Sequence, residues 1–128
     1  MKIVTIIGAR PQFIKAAMIN RAIALHNSVA GNDKIEEYIL HTGQHYDENM
    51  NAVFFKELNI RKPNWQLQCG GIANQAKMLA EMLTGIERAL VESQPDYVLL
   101  YGDTTTTLAG ALAASQLHIP VIHVEAGL

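Results

Sequence analysis

The fold of this chain is decided by one stretch: Tyr97-Val98-Leu99-Leu100-Tyr101-Gly102-Asp103-Thr104-Thr105-Thr106-Thr107. Val98, Leu99 and Leu100 make an apolar run too short for a helix and suited to a strand covered on both faces. Gly102 permits a sharp turn. Asp103 or Thr104 is then placed to cap a helix continuing through Leu108, Ala111, Leu112 and Ser115. Threonine is a poor helix former, so local propensity alone does not favour a helix here. Hydroxyls and free backbone N–H groups at a helix start suit a phosphate, sugar hydroxyls or both. The plainer alternative is a capped helix whose threonines fill the turn.

Working outward, Ile72, Ala76, Leu79, Leu83, Ile86 and Leu90 recur at four-three-four-three-four spacing, one stripe of a helix that Pro95 ends. On the other side, His118-Ile119-Pro120 turns into a strand over Val121–Val124, followed by Glu125-Ala126-Gly127-Leu128. At the start of the chain, Ile3–Ile7 is wholly β-branched and ends at Gly8. Pro11 fits the first position of a helix, where its missing N–H costs nothing. Ile14, Ala17, Met18, Ala22 and Leu25 mark one face of that helix. A second strand centres on Tyr38–Leu40 and ends at His41-Thr42-Gly43, a short helix is expected around Met50, Val53, Phe54 and Leu58, and Trp65–Gln68 reads as a short third strand.

Strands alternating with helices imply an α/β fold: a doubly wound, Rossmann-like parallel sheet with right-handed crossovers and strand order 3-2-1-4-5. The polar residues then fall into a pattern. Arg10, Gln44, His45, Asp103 and Glu125 each follow a strand, so the topology gathers them at the carboxyl edge of the sheet, where ligands bind. The fourth and fifth strands should be neighbours, which brings Asp103 and Glu125 to one crevice. A fifth strand at a sheet edge, with no helix after it, reads as the front portion of a longer protein.

Bulk properties narrow the function. The 128 residues suffice for one compact domain, and a formal charge of -2 gives no electrostatic case for nucleic acid or an anionic membrane. Cys69, the single cysteine, excludes an internal disulfide and any multi-cysteine zinc site, and fits a reducing, cytoplasmic compartment. No run reaches transmembrane length. Gly8-Ala9-Arg10-Pro11 is not a G-x-G-x-x-G loop, and no acidic residue ends the second strand to hold a ribose, which disfavours a nicotinamide site. His41 and His45 are four apart, but Thr42-Gly43-Gln44 between them suggests a turn and no third ligand is evident, so no metal is expected. His123, inside an apolar strand, reads as a hydrogen-bonded core residue, and His26 and His118 as surface residues. Asp103 and Glu125 are the acid/base candidates.

Four segments carry more than spacing. Gly8-Ala9-Arg10-Pro11-Gln12-Phe13-Ile14-Lys15, His41-Thr42-Gly43-Gln44-His45, Gly102-Asp103-Thr104-Thr105-Thr106-Thr107 and His123-Val124-Glu125-Ala126-Gly127-Leu128, in this order and register, closely resemble the non-hydrolysing UDP-N-acetylglucosamine 2-epimerase family. The resemblance spans the whole chain but about the first third of a family member. It implies a two-domain enzyme of glycosyltransferase-B-like architecture. Residues 1–128 would then be the Rossmann-like N-terminal domain, with a second, nucleotide-holding domain outside the chain. It also implies inversion at C2 of the sugar by elimination of UDP to a 2-acetamidoglucal and re-addition, with no cofactor and no metal. The implied partners are a UDP-sugar and, for a full-length member, a second copy in a homodimer. Carried onto matching positions, Asp103 and Glu125 are the implied proton-transfer carboxylates. Arg10 and Lys15 are the basic pair for substrate or phosphate, and Gln44, His45 and Thr104 complete the expected substrate-binding set.

Departures from the family pattern are also informative. The family often has Thr-Arg-Pro-Glu where this chain has Ala9-Arg10-Pro11-Gln12. Gln44 matches a residue that some bacterial members use to bind a second UDP-sugar as activator, but Asp47 and Gly71 stand where those members carry glutamine, which argues against such activation. Ala9, Gln12 and the segment Gly43 to Met50 also look like members acting on diacetamido-uronic acid sugars. Two readings from other classes stay open: a UDP-sugar-binding or glycosyltransferase-like module without C2 chemistry, and a flavodoxin- or receiver-like domain, against which the arginine-proline turn speaks.

Overall fold

The computed structural model describes residues 1–44 and 62–125, with the side chain of Arg10 left undescribed. The short helix expected around Met50, Val53, Phe54 and Leu58, and the residues His45 and Asp47, lie outside the described residues. Five parallel strands form one sheet: β1 (Lys2–Ile7), β2 (Glu36–His41), β3 (Trp65–Gln66), β4 (Tyr97–Tyr101) and β5 (Val121–Val124), in the order β3-β2-β1-β4-β5. This is the expected strand order. β3 is two residues long, shorter than the expected Trp65–Gln68.

Helix α1 (Arg10–Ser28) covers one face of the sheet, where Phe13, Ala16 and Ala17 pack on Ile3, Ile7, Ile39, Leu99 and Tyr101. Helices α2 (Gln75–Ser93) and α3 (Thr105–Gln116) cover the other, against Val4, Ile6, Leu40, Val98 and Leu100. β1 therefore serves two cores with alternate residues, as a buried parallel strand does.

The helices are turned relative to their expected faces. In α1, Ile14, Met18 and Leu25 are 49%, 66% and 70% exposed, and Ala22 is exposed too. Of the five residues expected to face the core, only Ala17 does. In α3, Leu108 and Leu112 are exposed, and the buried face is Thr106, Thr107, Ala109, Gly110, Ala113 and Ala114. In α2 the stripe is shifted towards Met78, Met82, Ile86, Ala89 and Leu90, with Leu79 and Leu83 at its flank and Ala76 exposed. For α3 the physical reason is close approach. A Cβ on Gly110 would lie 2.5 Å from Leu100 Cδ2, so the helix backbone presses on the strand and only small residues fit between. Large apolar side chains on the same helix are left on its outer side, where periodicity alone mistakes them for core.

One polar cluster is buried on the α1 face. Glu37, 4% exposed, accepts hydrogen bonds from the Thr5 hydroxyl (2.6 Å) and the Asn20 amide (2.7 Å). The sequence pattern gave no warning of it. Burial, and then the charge of Glu37, push the Tyr101 phenol well above its usual range, so it stays protonated.

Candidate active site

At the carboxyl edge of the sheet, the loops after β1, β2, β4 and β5 converge. The convergence follows from the register: Leu99 pairs with Ile122 and Tyr101 with Val124, and Gly102 N–H donates to Val124 O at 3.1 Å. Glu125 thus lies one residue, and Asp103 two residues, beyond the matched pair Tyr101–Val124 on neighbouring strands. Both are exposed. Thr104, not Asp103, is the N-cap residue of α3, so Asp103 lies outside the helix and is not consumed in capping it. Glu125 has a φ of +64°, a left-handed conformation that a non-glycine residue adopts at some cost.

Lys15, on the second turn of α1, forms an ion pair with Glu125. The partners are 36% and 42% exposed, so the pair adds little to stability, of the order of 1 kcal/mol or less. Its consequence is positional: it ties the second turn of α1 to the residue that follows β5. Sequence spacing gave Lys15 no orientation, and only the fold shows that it reaches across to the last strand. His123, expected in the core, is exposed, and its Nε2 lies 2.6 Å from Gly102 O. A carbonyl only accepts, so that nitrogen carries the proton. The expected hydrogen bond is there; the expected burial is not, because β5 is the edge strand.

The mouth of α3 is densely tied. The Gln44 amide oxygen accepts from Thr106 N–H (3.0 Å) and the Thr106 hydroxyl (2.7 Å). The Thr42 and Thr106 hydroxyls are 2.8 Å apart. Thr107 Oγ1 accepts from Thr104 N–H (3.1 Å) and donates to Tyr101 O (2.7 Å). A carboxamide oxygen therefore already sits on the positive end of the helix, where the sequence suggested an anion. Gln44 meets the helix start from one side, while Asp103 remains exposed on the turn before it.

Across the opening, Gln12 is 4% exposed and linked to both adjacent turns. Sequence reasoning noted Gln12 only as a departure from a family motif, and missed the roles of Thr42 and Thr106. The signal available was three polar residues next to strand ends in otherwise apolar surroundings.

His41 is 3% exposed, edge-on to Phe13 with ring centroids 4.8 Å apart, and neither ring nitrogen has a hydrogen-bond partner. Burial lowers its pKa from 6.5 to about 4, so it is neutral near pH 7. Among the described residues, no three His, Cys, Asp or Glu side chains cluster as a metal site would require. His41 and His45 cannot be compared, since His45 lies outside the described residues, as does the Arg10 side chain. A hollow of about 510 Å³ between α1 and the start of β2, lined by Asn20, Asn27 and Glu37 among others, lies at the opposite edge of the sheet from these loops.

A doubly wound sheet with polar strand-end loops, a threonine-rich helix mouth and exposed carboxylates after two adjacent strands is an α/β domain whose polar groups collect at the carboxyl edge, where sheets of this class bind ligands. The family model described as UDP-N-acetylglucosamine 2-epimerase matches residues 27–128, and the chain belongs to that family. It is 51% identical over 128 residues to UDP-2,3-diacetamido-2,3-dideoxy-D-glucuronate 2-epimerase of Pseudomonas aeruginosa, covering 34% of that protein. It is 45% identical to UDP-N-acetylglucosamine 2-epimerase of Methanocaldococcus jannaschii, covering 33% of it. A crystal structure of the M. jannaschii UDP-GlcNAc 2-epimerase in complex with UDP-GlcNAc and UDP superposes with a TM-score of 0.87 over the whole of this chain and 33% of that one, at 44% identity. The chain thus spans about a third of the length of the relatives it matches. Among the described residues, no helix is long and apolar enough to cross a membrane.

Proposed function

We propose that this chain is the Rossmann-like N-terminal domain of a two-domain UDP-sugar 2-epimerase, and that the protein interconverts UDP-N-acetylglucosamine and UDP-N-acetylmannosamine. The observation that carries the reading is the Lys15–Glu125 ion pair at the carboxyl edge of the sheet, with Asp103 exposed on the turn after the neighbouring strand β4. C2 of the sugar has no adjacent carbonyl to acidify its proton, so departure of the diphosphate must accompany proton loss. One carboxylate takes the C2 proton as the C1–O bond breaks and the electron pair leaves with UDP, giving 2-acetamidoglucal. A UDP oxygen then re-forms the bond at C1 while an acid delivers a proton to the other face of C2. Asp103 and Glu125, arriving from adjacent strands, are the groups for these transfers. Lys15, with Arg10, supplies positive charge for the departing diphosphate and holds Glu125 in place. Gln44, His45 and Thr104 belong to the substrate-binding set in this proposal. The route calls for neither nicotinamide nor metal.

A second sugar has a specific observation behind it: the chain is 51% identical to the diacetamido-uronate enzyme, beside 52% to a UDP-N-acetylglucosamine 2-epimerase homolog of Methanococcus maripaludis and 45% to the M. jannaschii UDP-GlcNAc enzyme. Incubating the full-length protein in heavy water with each UDP-sugar separately and looking for deuterium at C2 tests both. Exchange with UDP-N-acetylglucosamine supports the first reading, and exchange with the diacetamido-uronate sugar alone moves the assignment to the second. Exchange with neither leaves a binding module without C2 chemistry. A homodimer belongs to the same proposal, supported by the exposed apolar stripe Ile14, Met18 and Leu25 on α1; a concentration-independent monomer in sedimentation would remove it. A cytoplasmic location is also proposed, on the strength of a lone, buried, free cysteine.

A further inference from the structure

β5 is followed at once by Glu125, and β4 leads into the turn that carries Asp103. The joint between that turn and β5 therefore sets the two carboxylates relative to each other. The strand ladder reaches only as far as Tyr101–Val124, and one further backbone bond follows it, from Gly102 N–H to Val124 O at 3.1 Å. Beyond that bond the chain pivots on Gly102 itself, at φ +69° and with no side chain to restrict it.

The Gly102 carbonyl shares its planar peptide with the Asp103 N–H, so its direction fixes how the chain departs towards Asp103. His123 holds that carbonyl. Val124 packs against the cluster on the α1 face, and successive strand residues point to opposite faces, so His123 is turned to the other side. Its Nε2 lies 2.6 Å from Gly102 O. The neutral Nε2–H tautomer and the doubly protonated ring both donate from this nitrogen.

Among the hydrogen bonds of the described residues, this is the only one from a side chain of β5 to the β4–α3 turn. Gln12 and Thr107 also hold the turn, but at Tyr101 and Thr104 and from α1 and α3, so neither ties it to β5. With Val124 on its N–H and His123 on its carbonyl, Gly102 is gripped from β5 on both sides. The imidazole is exposed, so water competes for the bond and its loss costs the fold little.

We propose that His123 is a positioning residue for the epimerase reaction: by holding the Gly102 carbonyl it sets the Asp103 carboxylate relative to Glu125, so that both reach C2 of one sugar. This rests on the epimerase reading above. Removing a proton from C2 and delivering one to the opposite face each need a group within hydrogen-bond reach, and a misplacement of about 1 Å costs of the order of 10²-fold.

The test uses the full-length protein and three replacements at this one exposed position. Glutamine carries its amide nitrogen as many bonds from Cα as the Nε2 of histidine. Asparagine carries it one bond short, in the place of Nδ1, and leucine carries no donor. C2 exchange in heavy water is followed with UDP-N-acetylglucosamine or the diacetamido-uronate sugar, whichever the parent turns over. His123→Leu should lower kcat roughly 10- to 100-fold, with KM and melting temperature nearly unchanged. His123→Gln should recover most of the rate, and His123→Asn should behave like His123→Leu. The 13C and 15N shifts of the Gly102–Asp103 peptide should move in the leucine and asparagine variants and stay near parental in the glutamine variant.

Parental kcat in His123→Leu would overturn the positioning role. So would an equal loss of kcat in all three variants, which would make the imidazole itself the required group. A rise in KM without a fall in kcat would also overturn it, leaving a substrate contact. A parent protein with no C2 exchange would instead sink the epimerase reading, and the peptide shifts would still decide whether His123 holds the turn.

Discussion

The two strand-to-helix turns at the centre of the sheet solve one problem in different ways. Each must end a buried strand, reverse direction and satisfy the N–H groups at a helix start. The β4–α3 turn does this partly from within: Thr107 holds Thr104 and Tyr101, and Gly102 supplies a left-handed bend at φ +69°, while Gln44 takes the Thr106 N–H. The β1–α1 turn borrows. Ala9 offers no cap, so Gln12 secures its own turn while leaning on the other. Gly8 is needed for space rather than for conformation, because a Cβ there would lie 2.4 Å from the hydroxyls of both Thr42 and Thr106. The first turn thus relies on Gln12 and on space left by β2 and α3, whereas the second combines Thr107 with outside bonds from Gln44, Thr42 and Gln12 and leaves Asp103 exposed. Because threonine and glutamine side chains satisfy the threonine-rich turn, Asp103 is not spent in capping it.

The largest effect should come from the exposed carboxylates. In the full-length protein, Asp103→Asn and Glu125→Gln should each lower turnover by about 10²–10⁴-fold, the usual cost of removing a general acid or base. Nucleotide-sugar affinity and melting temperature should change little, because Thr104 rather than Asp103 caps the helix. Near-normal turnover in both variants would reduce the second turn to a helix start and erase the functional half of the contrast.

Next come the glycines, which separate space from conformation. Gly8→Ala forces two mutually bonded hydroxyls apart and should cost about 1–3 kcal/mol from overpacking, with disturbance of the Thr42–Thr106–Gln44 bonds added. Among the described residues, Gly102→Ala meets only the Gln12 amide nitrogen, at 3.7 Å, so its cost is that of a left-handed φ, about 1–2 kcal/mol. Denaturant melts of the two variants check the ranking, and a larger loss for Gly102→Ala would reverse the account of which turn is space-limited.

An acid limb should appear beneath the first turn. The pKa of His41 falls from 6.5 to about 4 on folding. The unfolded chain therefore binds the extra proton first as pH drops, and the folded state loses stability from near pH 6.5 down towards pH 4, after which the loss levels off. The magnitude is of the order of 3 kcal/mol. Melting temperature against pH for the parent and His41→Leu measures it; curves that stay parallel through this window would show that His41 protonates without penalty.

The smallest effect sharpens the comparison most finely. Thr107→Val keeps shape but deletes the hydroxyl that serves Thr104 N–H and Tyr101 O, and should cost about 1–2 kcal/mol. If it costs nothing, Thr107 does not support the second turn and the two turns are alike.

Much of this was legible in the chain. β-branched and apolar runs ending at Gly8, Gly43 and Gly102 fix where strands stop, because a strand needs continuous burial and glycine ends it. Alternation with helices then fixes the parallel order, and strand-end polar residues fall at one edge whatever the details. Asp103 and Glu125 could be named for that reason. Which way each helix faces was not legible. Ile14, Met18 and Leu108 are apolar and periodic yet exposed, whereas Ala16, Gly110 and Ala113 meet the sheet, because backbone distance and not hydrophobicity alone selects the contact face. Nor could spacing show that Lys15 reaches Glu125 across 110 residues, or that Gln12 spends all four of its hydrogen-bonding sites between two turns. The sequence by itself determined strand ends, order and the edge where polar groups collect, since these follow from local pattern. Only the tertiary structure decided which groups meet there, since that depends on helix rotation set by close packing.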